Sequence, residues 1–293
     1  EVEKYNISER TQLLAKNIRA NGGDIKRYTE VDKIETENGQ VKGVRTKNNK
    51  TYFAPIVISN AHPISTFSWV ENGIRNATKE RVKQTPNSIA SFSVHLILKP
   101  NQIKYTAHNI YHFSQNDVWH TDDYTEEDWP KAMMISSPCK KKKEEFANGL
   151  SILVYMKQED VNEWEDTFNT VAISNDRGDS YEEFKKNKTN KVIKKLYSVM
   201  PEVEGNIEHV YTSTPLSHRD YIGSPDGSMY GIKNDCNSPL STMFKPSTRV
   251  KGLYLTGQNL NLHGILGVSI SALKTCGDIL GMDYLVKKVK KVG

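Results

Sequence analysis

Residues 252–281 read GLYLTGQNLNLHGILGVSISALKTCGDILG and carry the strongest fold signal in the chain. The apolar run from Leu253 to Leu255 predicts a short buried strand, which Gly257 ends. After a polar loop, Gly264 begins an apolar segment that predicts a buried helix. A strand, a glycine-bearing turn and a helix N-terminus together present backbone N–H groups to an anionic ligand. The same pattern also fits an ordinary strand–loop–helix unit, so both interpretations stay open at this point.

Length and composition indicate a soluble globular protein. The chain has 293 residues, of which 37% are hydrophobic and 26% charged, and a formal net charge of +5. The lysines are scattered and no basic stripe interleaved with aromatic residues occurs, so we expect no nucleic-acid partner. Three widely spaced cysteines form no disulfide or metal-ligand pattern, which favours a reducing, cytoplasmic compartment. No apolar run approaches the roughly 20 residues of a membrane span.

The N-terminal flank predicts a helix, a small meander and then a buried strand. Apolar positions predict the helix over 11–20. Asn38-Gly39, between two alternating segments, is a strong hairpin signal. The β-branched run 56–58 predicts a strand that is buried on both faces. One or two helices are predicted between 63 and 85.

The middle of the chain, residues 88–215, predicts an antiparallel sheet with helices, inserted between two flanking pieces. Its elements follow from apolar and alternating runs: strands over 88–98, 109–113, 133–136, 151–156 and 206–213, and a helix over 181–200. From Pro215 the composition predicts a long irregular segment, whose length suggests a function. The lysines over 285–292 predict a basic amphipathic end, either a solvated last helix turn or a contact with a membrane surface.

Motifs for catalysis or metal binding are few. His108 and His112 are four residues apart, but their segment predicts a strand rather than a zinc-protease helix, so no metal site is predicted. No Gly-x-Gly-x-x-Gly and no lysine-bearing phosphate loop is present. His263, beside the glycine turn, and Tyr230, flanked by glycines, are the candidate catalytic residues. A loop histidine bonded to the backbone and a tyrosine that fills the core would explain them equally well.

Three segments, taken in order, carry a family resemblance. Residues 22–63 read GGDIKRYTEVDKIETENGQVKGVRTKNNKTYFAPIVISNAHP, and residues 214–232 read TPLSHRDYIGSPDGSMYGI. Together with 252–281, they resemble the phytoene desaturase and all-trans-retinol 13,14-reductase family of FAD-dependent oxidoreductases. The first is similar to the second segment of that family's FAD domain, the other two to its closing portion in the retinol-reductase branch. The middle region has no motif that matches.

The resemblance implies a mixed α/β (α+β) fold: an incomplete FAD/NAD(P)-binding Rossmann-like domain with an inserted antiparallel-sheet substrate domain. The implied FAD-binding domain comprises 1–87 and 216–293, and the substrate-binding domain 88–215. The implied cofactor is FAD. Its implied binding residues come from both flanks: Val31 at the adenine, Asn60 close to the cofactor, Gly257, Gln258 and Asn259 near the pyrophosphate and ribityl chain, and Gly264, Ile265, Leu266 and Gly267 near the flavin ring.

Two departures from the family pattern matter. Asn259 stands where such enzymes commonly carry Asp, so its side chain keeps an acceptor but lacks the charge. The dinucleotide fingerprint Gly-x-Gly-x-x-Gly is missing, and the chain begins with Glu1 rather than Met. The sequence therefore resembles the C-terminal portion of such an enzyme, as a processed chain or a piece of a longer protein. We expect weak or absent FAD binding by this chain alone.

The function that the resemblance implies is that of a fragment of a flavin-dependent oxidoreductase. Such an enzyme acts on C=C or C–C bonds of a retinoid- or carotenoid-like polyene by hydride transfer through flavin N5. The implied partner is an apolar small molecule, and the implied location is the cytoplasm, with peripheral membrane contact left open. An amine-oxidase-like or protoporphyrinogen-oxidase-like flavoenzyme, or a non-catalytic isolated substrate or interaction domain, is the alternative.

Overall fold

The computed structural model describes residues 7–138, 145–260 and 262–290. Within these ranges the strands form three sheets. The strands are β1 (Val31–Glu37), β2 (Gln40–Thr46), β3 (Thr51–Phe53), β4 (Val57–Ser59), β5 (Ala90–Leu98), β6 (Ile110–Phe113), β7 (Ala132–Ser136), β8 (Gly149–Met156), β9 (Ile207–Ser213) and β10 (Leu253–Leu255). The α-helices are α1 (Ile7–Ala20), α2 (Pro63–Ser68), α3 (Asn76–Gln84), α4 (Asp179–Val199), α5 (Pro215–Ile222), α6 (Pro239–Thr242), α7 (Gly264–Leu280) and α8 (Met282–Lys290).

The predicted hairpin at Asn38-Gly39 is confirmed. Both residues have positive φ, 50° and 73°, as a type I′ turn requires. The turn joins β1 to β2, and β3 adds a third antiparallel strand. In this meander, Ile34 and Val41 are buried, and they belong to the same apolar cluster as Leu253 of β10. The meander therefore packs on the C-terminal flank of the chain.

β4 and β10 form a two-stranded parallel sheet from opposite ends of the chain. Val57 pairs with Leu253, and Ser59 pairs with Leu255. Because parallel strands end at the same edge of a sheet, the loops that follow Ser59 and Leu255 lie side by side.

The predicted antiparallel sheet in the middle of the chain is confirmed. Its strand order is β6-β7-β8-β5-β9, and all four neighbouring pairs are antiparallel. Phe92 and Val94 of the interior strand β5 are fully buried. Val192 and Leu196 of α4 are buried in the same cluster. The long helix thus covers one face of the sheet.

A neck of two paired segments, residues 86–89 and 229–233, joins this sheet region to the flanks. The backbone N–H of Ser88 donates to the carbonyl of Gly231 (2.7 Å), and the N–H of Lys233 donates to the carbonyl of Pro86 (2.9 Å). Within the described residues, one buried apolar cluster lies on each side of this crossing. The domain boundaries 1–87, 88–215 and 216–293 stay a prediction.

The irregular segment expected from Pro215 is wrong in its first part, because α5 occupies 215–222. Pro215 is the first residue of the helix, where a backbone N–H would have no partner within the helix, so proline loses no hydrogen bond there. Thr214 and Ser217 form a reciprocal capping box at its start, and Gly223, with φ 76°, ends the helix. The proline and glycine therefore mark the two ends of a helix rather than a loop.

α7 is a helix as predicted, but its large apolar side chains are not buried as predicted. Its small residues Gly267, Ser271 and Thr275 face the protein, and Thr275 Oγ1 donates to the carbonyl of Leu255 (2.9 Å). Small side chains let the helix approach β10 closely, which turns the large ones outward. Leu266 is 75% exposed, and so, to a lesser degree, are Ile265, Val268, Leu273 and Leu280.

β4 departs from the prediction in the same way. Ile56, just before the strand, and Ile58, within it, are both exposed, although their run predicted burial on both faces. The β4–β10 sheet has two strands only in the described part of the chain. Within those residues, one face of it has no cover.

Candidate functional site

The candidate site lies at the carboxyl edge of the β4–β10 sheet. Asn60 follows β4 and Gly257 follows β10, and the two are in contact. A Cβ on Gly257 would lie 1.8 Å from Asn60 Oδ1. Gly257 also has φ 90°, which side chains disfavour. Both observations require glycine at position 257. Asn60 and Gly257, two of the predicted cofactor-binding residues, are therefore in contact.

Asn259 and Gln258 tie the same loop to the segment before α6. Oδ1 of the buried Asn259 accepts a hydrogen bond from the N–H of Ile232 (3.2 Å). A Cβ on Gly231 would lie 2.0 Å from that oxygen. Gln258 Nε2 donates to the carbonyl of Met229 (3.4 Å). Asn259 thus pairs with the backbone through its amide oxygen, an acceptor role that a carboxylate would also fill.

A cleft of about 270 Å³ opens beside these residues. Amide, imidazole and hydroxyl groups line much of it, with no lysine or arginine from the described part of the chain: Asn60, His62, Ile222, Gly223, Ser224, Gln258, Asn259 and Val268. Such a lining can hydrogen-bond a polar ring or ribityl chain. It offers no side-chain cation for a phosphate.

His62, which the sequence analysis did not single out, is held in one tautomer at this cleft. Its Nδ1 accepts from the N–H of Ile64 (3.2 Å) at the start of α2. The proton is therefore assigned to Nε2, which lies 2.9 Å from Asn87 Oδ1. Burial lowers the pKa of His62, against smaller opposite effects of the Asn87 bond and of Asp226. The signal in the sequence is a polar residue directly before a helix-starting proline.

The two candidate catalytic residues are in contact. The rings of Tyr230 and His263 stack with centroids 4.2 Å apart and planes at 26°. His263 immediately precedes α7, whose first residue, Gly264, has φ 75°. The structure thus brings a phenol and an imidazole together at the start of this helix, although 33 positions separate them in the chain.

Tyr230 also lines an apolar cavity of about 170 Å³ at the five-stranded sheet. Among the described residues its lining comes mainly from β6, β7 and β8 and contains no carboxylate and no cation: Tyr111, Phe113, Ala132, Met133, Met134, Leu153, Tyr155 and Tyr230. Burial raises the pKa of the Tyr155 phenol, and nearby Tyr230, Asp122 and Tyr111 act in the same direction. The cavity therefore suits an uncharged, apolar ligand. Strand alternation was the only sequence signal for these residues.

The remaining predicted cofactor residues lie apart from the cleft lining. Val31 begins β1, opposite Thr46. Ile265 and Leu266 are exposed on the first turn of α7, whereas Gly267 packs against Leu262, 2.6 Å from where its Cβ would stand. Their assignment to FAD stays a prediction.

The described residues contain no group of three or more His, Cys, Asp or Glu that could hold a metal ion. None of their helices is both long enough and apolar enough to cross a membrane.

Comparison with known proteins gives a consistent relationship, although no family model matches the chain. It is 25% identical over 247 residues to all-trans-retinol 13,14-reductase of Danio rerio, covering 78% of this chain and 40% of that protein. It is 24% identical over 267 residues to chloroplastic prolycopene isomerase of Daucus carota, covering 89% of this chain and 41% of that protein. The chain is related to the retinol reductases and prolycopene isomerases. It spans less than half the length of these curated relatives.

The fold of this chain is similar to that of solved oxidoreductases. An oxidoreductase from Methanosarcina mazei superposes with a TM-score of 0.53 at 15% identity, over 92% of this chain and 53% of that one. A putrescine oxidase redesigned in its cofactor binding gives 0.56 at 10% identity, over 94% and 53%. These likenesses confirm the predicted mixed α/β, Rossmann-like fold class.

Proposed function

We propose that this chain forms part of a flavin-dependent oxidoreductase that acts on carbon–carbon bonds of a retinoid- or carotenoid-like polyene. The observation that carries the proposal is the polar cleft at the β4–β10 edge together with the apolar cavity at Tyr230. The first turns of α7 link the two, since Val268 lines the cleft and His263 stacks on Tyr230. The names of the relatives, a retinol reductase and a prolycopene isomerase, support a polyene.

The cleft fits part of FAD. Asn60, Gln258 and Asn259 would hold it through their amide groups, and the N–H groups at the start of α7 favour negative charge. The lining residues contain no cation for the two phosphates. We therefore propose that a glycine-rich phosphate-binding turn comes from another segment, which would also cover the exposed faces of β4 and α7.

The residues of this chain supply positioning and a proton. A bound flavin would supply hydride transfer at N5. The apolar lining of the cavity would contact part of a hydrocarbon substrate. Saturating a double bond also requires one proton, and Tyr230 is placed between the cavity and His263. We assign Tyr230 Oη as the proton donor and His263 as the group that orients its ring.

An amine-oxidase-like function is the second candidate, since a putrescine oxidase shares the fold. A protonated amine is best held by a carboxylate. The lining of the cavity at Tyr230 contains none, which favours the polyene. A non-catalytic module is the third candidate, and flavin binding separates it from both.

A flavin titration of the 293-residue chain tests the proposal. We expect weak, saturable quenching of FMN fluorescence and no competition by ADP, because the cleft would hold the flavin end. Gln258→Leu removes an amide at the cleft and is expected to weaken binding severalfold. Gln102→Leu is the matched control, since exposed Gln102 likewise donates one bond to a carbonyl, that of Pro100 (3.3 Å).

Two results would contradict this proposal. No saturable FMN binding up to about 1 mM would remove the cleft as a flavin site. A tightly held, stoichiometric FAD would show that the chain has a phosphate site of its own.

A further inference from the structure

A second cavity, of about 350 Å³, lies between α2, α3 and the segment that leads into β10. Its floor is apolar and buried, formed by Phe67, Ile74, Phe244 and Leu255. It shares no lining residue with the cleft at Asn60 or with the cavity at Tyr230. Its volume lies within the range of small-molecule sites, about 300–1,000 Å³.

Three cations border this floor. Arg81 of α3 places its guanidinium carbon 4.8 Å from the centre of the Phe244 ring. Lys245 and Arg249 border the cavity from the segment before β10, and no Asp or Glu among the described residues lines it. In the part of the chain that the structure describes, none of the three has a carboxylate partner, and the adjacent Glu80 pairs with Lys83 (3.2 Å). The cavity therefore combines an apolar floor with uncompensated positive charge.

We propose that this cavity binds an amphipathic carboxylate, with its hydrocarbon chain on the floor and its carboxylate at Arg81 and Arg249. The guanidinium fork matches the two oxygens of a carboxylate. A bare inorganic anion would make no contact with the apolar floor. An uncharged hydrocarbon would make no contact with the three exposed cations that border it. A molecule with both parts contacts the whole lining.

Calorimetric titration of the 293-residue chain with dodecanoate, below its micelle concentration, tests the proposal. We expect saturable 1:1 binding that is at least about tenfold tighter than that of dodecanol or inorganic phosphate. Arg81→Gln and Arg249→Gln should each weaken dodecanoate about tenfold, because each loses a charge-assisted bond. Arg75→Gln is the matched control, since exposed Arg75 precedes α3 and does not line the cavity.

A second variant distinguishes dodecanoate binding in the cavity from adsorption on the exposed apolar helices. Met243 lines the cavity and is 44% exposed, so Met243→Glu should fold and place a competing carboxylate among the cations. We expect it to weaken dodecanoate more than tenfold, with FMN binding unchanged. Binding that tolerates both arginine variants, that is absent, or that is equalled by dodecanol or phosphate would overturn the proposal.

Discussion

Gly257 and Gly231 each lie against an amide oxygen. A Cβ on Gly257 would stand 1.8 Å from Asn60 Oδ1, and one on Gly231 would stand 2.0 Å from Asn259 Oδ1. Both glycines have positive φ as well. Replacing either one would therefore displace an amide that lines the cleft, so these glycines fix the position of the polar groups at the candidate site.

His62 makes stability depend on pH. Burial lowers its pKa below the ordinary 6.5, so its contribution is fully present above pH 6.5. That contribution is lost as the pH falls from 6.5 through the lowered folded-state pKa, because the unfolded chain then binds the proton first. His62→Asn keeps an acceptor for the N–H of Ile64 but does not titrate. Urea unfolding between pH 7.5 and about 5 should show a flatter profile for this variant.

The control for that prediction is His209→Asn, at an exposed position of β9. Its profile should follow that of the unmodified chain. A His62→Asn profile as steep as the unmodified one would show that other groups carry the acid sensitivity.

Asp220 of α5 pairs with Arg219 of the same helix and with Arg177. Its side chain is fully buried, and it accepts from Arg219 Nε (2.7 Å), from the N–H of Asn169 (2.8 Å) and from Arg177. Burial raises the pKa of Asp220, but these three hydrogen bonds lower it by more. Asp220→Ala would leave the buried Arg177 without its counter-charge. We expect a loss of about 3–5 kcal/mol in the free energy of unfolding, measured in urea.

Glu182→Ala is the matched control, because Glu182 pairs with Lys185 on the exposed side of α4. We expect it to leave stability nearly unchanged. A loss of less than about 1 kcal/mol in Asp220→Ala would mean that the arginines find other partners.

Two hydroxyl groups of α7 lie one turn apart, and their removal is expected to affect stability differently. Thr275 Oγ1 donates to the carbonyls of Leu255 and Ser271, both at 2.9 Å. Ser271 Oγ is buried without a hydrogen-bond partner in the described structure. Thr275→Val should therefore cost about 1–2 kcal/mol, while Ser271→Ala should be neutral or stabilising. Thermal unfolding of both variants checks the pair, and equal losses would contradict the assignment.

Most strands and helices follow from local patterns, because period-2 and period-3.6 signals depend on near neighbours only. The Asn38-Gly39 turn and the strands of the middle sheet belong to this class. The orientation of α7 does not, because a close approach to β10 favoured Gly267, Ser271 and Thr275 over larger apolar residues. The start of α5 was missed because proline marks helix starts as well as loops.

The candidate site was predicted in its chain segments but not in its contacts. Gly257, Gln258 and Asn259 stand in a motif, so their shared location followed from the sequence. The stacking of Tyr230 on His263 and the cleft role of His62 depend on pairings between distant segments, which no single stretch of sequence encodes. The apolar cavity likewise forms only once three strands align.

The whole molecule exposes apolar surface on several helices. These side chains lie on α1, α7 and α8: Leu13, Leu14, Ile18, Ile265, Leu266, Leu273, Met282, Val286 and Val289. On α8 they accompany Lys287, Lys288 and Lys290, a composition typical of helices that lie at an anionic bilayer surface. We propose that α8 makes such a peripheral contact.

Vesicle flotation tests this contact. The chain should float with phosphatidylcholine vesicles that contain about 30% phosphatidylserine and much less with pure phosphatidylcholine. The double variant Val286→Asp with Val289→Asp should not float with the vesicles, because both substitutions place a negative charge on the apolar face of α8. Val171→Asp, at a 91% exposed position before α4, is the control. Equal flotation of all variants would contradict a role for α8.

The neck between residues 86–89 and 229–233 has a consequence for the order of folding. Val57 and Leu253 are about 200 positions apart, and pairing them directly would close a loop of that length. Once Asn87 has paired with Ile232, the remaining loop between Val57 and Leu253 is about 50 positions long. The entropic cost of closing it is lower by about 1 kcal/mol. Three residue pairs in β4–β10 provide little to offset a larger cost. Pairing of β4 with β10, at whose edge the cleft lies, is therefore favoured after the neck has closed.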